Sequence, residues 1–295
     1  MTGDDASRAV LDKAARENFP VAPVFLPRAW RQDLMAVYGF ARLVDDIGDG
    51  DLADGGRPDA RHLGLDPAAA EDRVTMLDAF EADLRRVFDG APRHPLLTAL
   101  QPTVRRHRLT PEPFLGLIAA NRQDQVVRRY ASYEELLAYC ELSANPVGRL
   151  VLSITGTSTP ERVRQSDAVC TALQIVEHLQ DVAEDLGRDR IYLPADDMKR
   201  FSVDEADLAA PSAGAQVRAL IAFEAERARA LLDEGTPLVG SVRGRLRLLL
   251  AGFVGGGRAA LEAVRSAGYD VLAGSPKATK PGLLRAVGST LRREG

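Results

Sequence analysis

The sequence predicts an all-α fold, and three observations carry that expectation. Apolar residues recur at three- and four-residue steps along most of the 295 residues. Capping residues mark helix starts. Strand-like alternation is confined to short pieces such as Arg190–Leu193, with no tight hairpin signal between apolar runs. In chain order the helical pattern covers Leu34–Val44, Val74–Phe88, Tyr133–Ile154, Val169–Leu186, Val217–Leu232 and Leu246–Val264. Gly48–Pro67, rich in Gly, Asp and Pro, reads as a solvated loop. Thr110-Pro111 is a cap followed by a first-turn proline, and Ser132 with Glu135 forms a capping-box pattern. Thr155–Pro160 reads as a turn, and Asp189–Pro211 as an irregular connection. Gly252-Phe-Val-Gly-Gly-Gly257 lies in a helical stretch and reads as close helix packing. No repeat or shift in composition divides residues 1–272, which read as one helical domain. Ala273–Thr279 reads as a linker within a 273–295 tail. In that tail Leu283, Leu284, Val287 and Leu291 lie among Arg285, Arg292 and Arg293, a basic amphipathic pattern compatible equally with contact to anionic lipid and with a frayed terminal helix.

Composition narrows the functional classes. Apolar residues make up 45% and charged residues 27%, enough to build a core, and the net charge of -4 shows no basic stripe for nucleic acid. Cys140 and Cys170 stand in no metal-ligand spacing, so a disulfide framework is not expected and a cytoplasmic setting is. The N-terminus lacks a signal-peptide run, and no stretch reaches the ~20 apolar residues of a membrane span.

The chemistry concentrates in two acidic segments, Arg42-Leu-Val-Asp-Asp-Ile-Gly-Asp49 and Gln180-Asp-Val-Ala-Glu-Asp185. On helices, Asp45 and Asp49 share one face, as do Asp181 and Asp185. Like charges at that spacing repel, and a hard divalent cation that prefers carboxylate oxygen and phosphate relieves the repulsion. Apolar runs precede both clusters, so the two pairs are expected to face a shared cavity and hold Mg²⁺ with a diphosphate. Exposed acidic pairs are also common without any ion, and spacing alone leaves both readings open. His178 beside the second cluster reads as structural; His62, His94 and His107 fall in loop-like or polar contexts without HxxxH spacing. No nucleotide fingerprint follows a strand.

At these residues the chain resembles the squalene/phytoene synthase family of head-to-head prenyl transferases. The two DxxxD motifs match Asp45–Asp49 and Asp181–Asp185, and the second runs on as Asp185-Leu-Gly-Arg-Asp-Arg-Ile-Tyr-Leu-Pro194, like the family's glycine-arginine turn and YLP. The likeness extends from about Asn18 to Leu272. It implies the isoprenoid (terpenoid) synthase helical fold with a central cavity. Glu17-Asn-Phe-Pro-Val-Ala22, Arg122-Gln-Asp-Gln125 and Tyr139–Arg149 make the chain most similar to the hydroxysqualene synthase branch.

The resemblance implies roles for particular residues. Asp45, Asp49, Asp181 and Asp185 would bind about two or three Mg²⁺ ions. Glu177 stands where relatives have Asn and is a candidate further ligand. Arg42, Arg149 and Arg190 are candidates for the diphosphate, and Asn18, Gln174 and Tyr192 for substrate. Tyr139 and Asp124 match active-site positions, and Asn145, in place of the usual glycine, would orient water. The implied reaction is conversion of presqualene diphosphate to hydroxysqualene without NADPH. Synthesis of presqualene diphosphate, squalene or phytoene from two prenyl diphosphates is the nearest alternative, and a non-catalytic helical binding protein a remote one. Sister enzymes of the pathway, and peripheral contact with the inner membrane face, are expected partners.

Overall fold

The structure, a computed structural model, describes residues 22–294; Asn18, with residues 17–21 of the stretch singled out above, lies outside them. Helix takes up about 75% of the chain and no strand forms among the described residues, as the periodicity predicts. The helices gather into two compact units. One takes residues up to Val126 together with Arg149–Ser158; the other takes Val127–Gly148 and the chain from Thr159 on.

In the first unit, α1 (Arg28–Asp49), α2 (Arg57–Leu63), α3 (Arg73–Asp89), α4 (Pro95–His107) and α5 (Glu112–Val126) follow one another. Asp72 caps α3 by accepting from the backbone N–H groups of Val74 and Thr75, at 3.0 and 3.1 Å. Gly50, in the left-handed region at φ 76°, ends α1. The core forms where α1, α3 and α5 meet: Phe40 stacks on Phe80 at 5.5 Å and meets Phe114 edge-on at 5.1 Å. All three rings are fully buried, and each contributes roughly 1.5–3 kcal/mol by leaving water. A buried carboxylate ties α1 to α4, since Asp33 accepts from Thr103, Arg106 and His107 at 2.7–2.8 Å. Burial pushes Asp33 up, but those three donors outweigh it and hold the carboxyl below its ordinary value.

Two sequence expectations change here. Gly48 and Asp49 belong to the last turn of α1, and the expected loop contains α2. The Gly-Asp-Pro composition hid α2 because its start, Gly56, sits at φ 70° and Pro58 occupies its first turn.

The second unit contains α6 (Tyr133–Ser143), the start of α7 (Asn145–Ile154), α8 (Pro160–Gln180), α9 (Val182–Gly187), α10 (Ala195–Arg200), α11 (Glu205–Leu208), α12 (Ala215–Gly235), α13 (Pro237–Ser241), α14 (Gly244–Ser266) and α15 (Lys280–Arg293). The Tyr133–Ile154 pattern breaks at Ala144, between α6 and α7. Ser132 caps α6 as expected, accepting from Glu135 N–H. The glycine run of α14 packs closely, as read from sequence. A Cβ at Gly255 would lie 2.7 Å from Val287 of α15, and one at Gly257 would lie 2.8 Å from Leu173 of α8. Arg247 and Arg258 reach across to Leu291 O and Thr290 Oγ1, at 2.8 and 3.0 Å, so α15 is docked along α14.

Arg190–Leu193 forms no strand. Ile191 makes an isolated parallel bridge with Arg129, and Ile191, Ala195 and Asp196 donate backbone N–H groups to Arg128, Tyr130 and Ala131. Beyond it, Arg227 of α12 grips Asp197 of α10 at 2.5 Å and Glu224 at 3.1 Å, with its guanidinium 4.2 Å above the Tyr133 ring.

Burial, and secondarily Asp197, pushes the Glu224 carboxyl up to about 7 despite Arg227. A carboxyl whose folded pKa is raised contributes stability that is whole below its unfolded value of 4.5 and lost as pH rises through about 7. Glu224→Gln is therefore expected to melt close to wild type at acidic pH and a few degrees above it at pH 8. Thermal melts followed by circular dichroism across that range check the prediction, and a constant difference at every pH contradicts it.

Candidate functional site

The first acidic motif closes a long helix, and the second spans the junction at which Asp181 ends α8 and begins α9, with Asp185 in the first turn of α9. Asp45, Asp46 and Asp49 close α1, whose last turn holds no basic residue, and Asp181 is the C-cap of α8. Backbone carbonyls at a helix C-terminus already carry about half a negative charge, so acidic side chains there add repulsion to repulsion. Oxygen donors gathered at a negative helix end are the donor set a hard divalent cation requires, and the residues present fit Mg²⁺.

In the first unit, Asp45 is exposed and Asp49 half-buried. Asn121 of α5 donates from Nδ2 to Asp45 Oδ1 at 3.1 Å. Helix α5 approaches α1 closely because Gly48 has no side chain: a Cβ there would lie 2.0 Å from Asn121 Oδ1. The Gly48 carbonyl accepts from Gln125 at 3.0 Å and Arg73 at 3.2 Å, which satisfies the helix end. Asp124 is buried on the same helix, one turn from Asn121. Arg42 turns to Asp46, at 2.7 and 2.9 Å, so its guanidinium belongs to a pair within α1. Arg149 is half-buried in α7, where its carbonyl accepts from Ser153.

In the second unit the helix expected over Val169–Leu186 is interrupted at Asp181, which leaves helical geometry at φ -110° and ψ 16°. The turn nevertheless holds: Asp185 N–H donates to Asp181 O at 2.8 Å, keeping the pair one turn apart. Burial pushes the Asp181 carboxyl up, Asp185 and Glu184 add to the shift, and a Ser275 hydrogen bond opposes it. Gln180 Nε2 bonds to Pro276 O. The stretch read as a linker is thus strapped onto the motif, and no sequence signal pointed to Ser275. Glu177 is exposed, and its carbonyl accepts from Asp181 N–H.

Four rings lie next to this pair. Tyr130, Tyr139 and Tyr192 are buried, with centroids 5.4–5.6 Å apart, and His178 stacks on Tyr192 at 3.7 Å and 12°. Gln174 bonds to His178 Nε2 at 3.2 Å, and His178 Nδ1 lies 3.7 Å from Asp185 Oδ2. Arg190 is buried, and its N–H donates to Asp185 O at 2.8 Å. His178, Asp185, Arg190 and Tyr192 line one small cavity. Electron-rich ring faces are groups that stabilise positive charge. The sequence named Tyr139 and Tyr192 but missed Tyr130 and His178, which become neighbours only through the 128–131 and 191–196 pairing. Asn145, buried at the start of α7, accepts from Thr171 of α8 at 3.0 Å.

Comparison with known proteins agrees with this chemistry. The family described as squalene/phytoene synthase matches residues 12–282. The hydroxysqualene synthase of Sinorhizobium fredii is 33% identical, over 82% of this chain and 77% of that one. The 15-cis-phytoene synthase of Synechococcus elongatus is 30% identical, over 74% and 70%. The crystal structure of squalene synthase HpnC from Alicyclobacillus acidocaldarius superposes with a TM-score of 0.78 at 42% identity, over 90% of this chain and 94% of that one. The chain belongs to the squalene/phytoene synthase family and is a prenyl-transferring enzyme of squalene/phytoene type.

Gly48→Ala is expected to cost about 1–3 kcal/mol, because the new methyl must displace the buried Asn121 amide that holds Asp45. The double variant Gly48→Ala/Asn121→Ala makes room for the methyl and should be less destabilised than the two single losses summed. Urea titration of the four proteins reads the coupling; simple additivity contradicts the contact.

Proposed function

We propose that, within the squalene/phytoene synthase family, this enzyme converts presqualene diphosphate to hydroxysqualene and diphosphate. The observation that carries the reading is the placing of one carboxylate pair in the closing turns of α1 and the other at the α8–α9 junction, with the four-ring cluster beside the second pair. Mg²⁺, held by Asp45, Asp49, Asp181 and Asp185, would supply neutralisation of the leaving diphosphate. Glu177 is proposed as a further oxygen donor at the second pair. Arg149 and Arg190 bind phosphate oxygens, which a guanidinium fork suits, with Arg42 reaching them only by leaving Asp46. Asp124 supports the first pair from α5, and Gln174 holds substrate from α8.

The carbon–oxygen bond to diphosphate breaks and its electron pair leaves with the phosphate. The faces of Tyr139 and Tyr192 stabilise the resulting cyclopropylcarbinyl cation through its rearrangement. Asn145, with its carbonyl turned to Thr171, presents its amide NH₂ side to orient one water; that water adds to the cation and loses a proton to the departed diphosphate. No hydride enters, so the reading needs no NADPH. Kinship to named hydroxysqualene synthases at 31–34% identity supports this step, and similar kinship to phytoene synthases supports condensation of two prenyl diphosphates as the alternative.

No helix among the described residues is long and apolar enough to cross a membrane. Helix α15 exposes Leu284 with Arg285, Arg292 and Arg293, which supports peripheral contact with an anionic membrane face, from the cytoplasmic side, in the proposed setting.

The test is incubation of purified protein with Mg²⁺ and either presqualene diphosphate or farnesyl diphosphate, with and without NADPH, followed by product identification. Hydroxysqualene from presqualene diphosphate without NADPH is the expected result; turnover of farnesyl diphosphate alone moves the enzyme to the alternative. Asp45→Asn or Asp181→Asn should lower kcat/KM on the order of 10²–10³-fold, while Asn145→Gly should shift product away from the hydroxylated one. Unchanged hydroxysqualene output from Asn145→Gly removes its role.

A further inference from the structure

Three side chains of the first unit, away from both acidic motifs in sequence, converge into a set that the prenyl chemistry does not use. Asp59 and His62 lie three residues apart on α2, on one helical face, and His94 caps α4. Their ligand atoms all lie within 4.8 Å of one another, and His94 Nε2 is 3.0 Å from Asp59 Oδ1. The two imidazoles meet edge to face at 5.5 Å. We propose that Asp59, His62 and His94 bind a divalent first-row transition ion, with Zn²⁺ best suited to two imidazoles and one carboxylate.

The site is preorganised. His94 is buried and its backbone N–H donates to Asp83 Oδ2 at 2.8 Å, while its ring packs edge-on against Phe80 at 5.8 Å. Asp83 is itself buried and also receives Arg93 N–H, so the turn that presents His94 is fixed from within. His62 Nδ1 is buried without a hydrogen-bond partner, a polar atom that a metal bond would satisfy. Asp59 and His62 are only half-buried, which leaves an entry path from solvent. Nitrogen ligands separate this site from the carboxylate pairs: imidazole selects transition ions, whereas Mg²⁺ keeps to oxygen.

Proton bookkeeping sets the condition for uptake. Without an ion, His94 Nδ1 accepts from Leu96 N–H at 3.3 Å, so Nε2 carries the proton and gives it to Asp59. On binding, that proton moves to Nδ1, and Nδ1 and the Leu96 N–H, both now donors, must turn apart; the metal–ligand set has to outweigh that loss. The ion would clamp α2 to the start of α4.

Chelator-stripped protein, titrated with Co²⁺ in excess Mg²⁺ and followed by visible absorption, tests the proposal. Wild type should bind a single equivalent with the bands of a nitrogen-ligated ion, and Zn²⁺ should displace it and raise the Tm. His62→Ala and His94→Asn should weaken binding by at least about a hundredfold, more than the loss of a merely supporting residue usually costs. Asn retains a capping oxygen, so His94→Asn should keep its helical circular dichroism. Absence of uptake in excess Mg²⁺, or wild-type affinity in both folded variants, overturns the proposal.

Discussion

Negative charge placed where a helix is already negative is the constraint on which the rest of the site depends. Helix α1 runs 22 residues and α8 runs 21, and each ends in carboxylates with little basic compensation in its last turn. Each misplaced charge costs up to about 1 kcal/mol, and paired carboxylates one turn apart repel further. Local devices keep the ends in place. Gln125 and Arg73 satisfy the Gly48 carbonyl, Asn121 holds Asp45, and Ser275 and Pro276 hold the end of α8. These bonds fix the geometry of carboxylate oxygens gathered at each place, a donor set of the kind a hard divalent cation takes.

The same constraint explains what the sequence could reveal. The acidic spacing was legible because helical periodicity surrounds it, and the long run from Asp185 to Pro194 was legible because nearly every residue in it has a fixed task. Asp189 turns the chain at φ 59°, Ile191 pairs with the 128–131 stretch, Tyr192 enters the ring cluster, and Pro194 begins α10. Features made by chain segments remote in sequence were not legible. Tyr130 and His178 gain meaning only beside Tyr192, and Ser275 only when the stretch before α15 returns to Asp181. Helix α2 was lost to its own composition, because glycine and proline signal a loop until their φ values show them starting a helix. The break at Asp181 was equally hidden, since its residue pattern is that of an uninterrupted helix.

Within the second unit, the connection after Asp185 links electrostatics to packing. Arg190 follows the acidic pair by five residues and Tyr192 by seven, so a displacement of this segment moves the buried guanidinium and the ring together. Its far end is held by Arg227, which gathers Asp197 and Glu224 under the Tyr133 ring. A buried pair of carboxyls with one guanidinium cannot be fully charged at low cost, and the raised Glu224 pKa is the consequence. Anchoring by such a cluster resists substitution: removal of Arg227 strands two buried acids, whereas a neutral isostere at Glu224 leaves the grip on Asp197.

The proposed outcome, capture of a cation by water, requires both dryness and one exception to it. Tyr130, Tyr139 and Tyr192 are each at most 7% exposed, so a cation brought to this cluster would meet little competing solvent. Ring faces stabilise positive charge without donating electrons into a bond, which lets a rearranging cation survive until its final position. A nucleophile admitted earlier would quench it at the wrong carbon. Asn145 is buried on α7, and Thr171 locks its carbonyl, so the amide cannot rotate to offer donor and acceptor interchangeably. A fixed amide can hold a single water in a single orientation, whereas glycine at that position would leave no polar group at all. The choice between a hydroxylated product and a hydrocarbon can therefore rest on one buried amide, while the machinery that expels diphosphate stays the same.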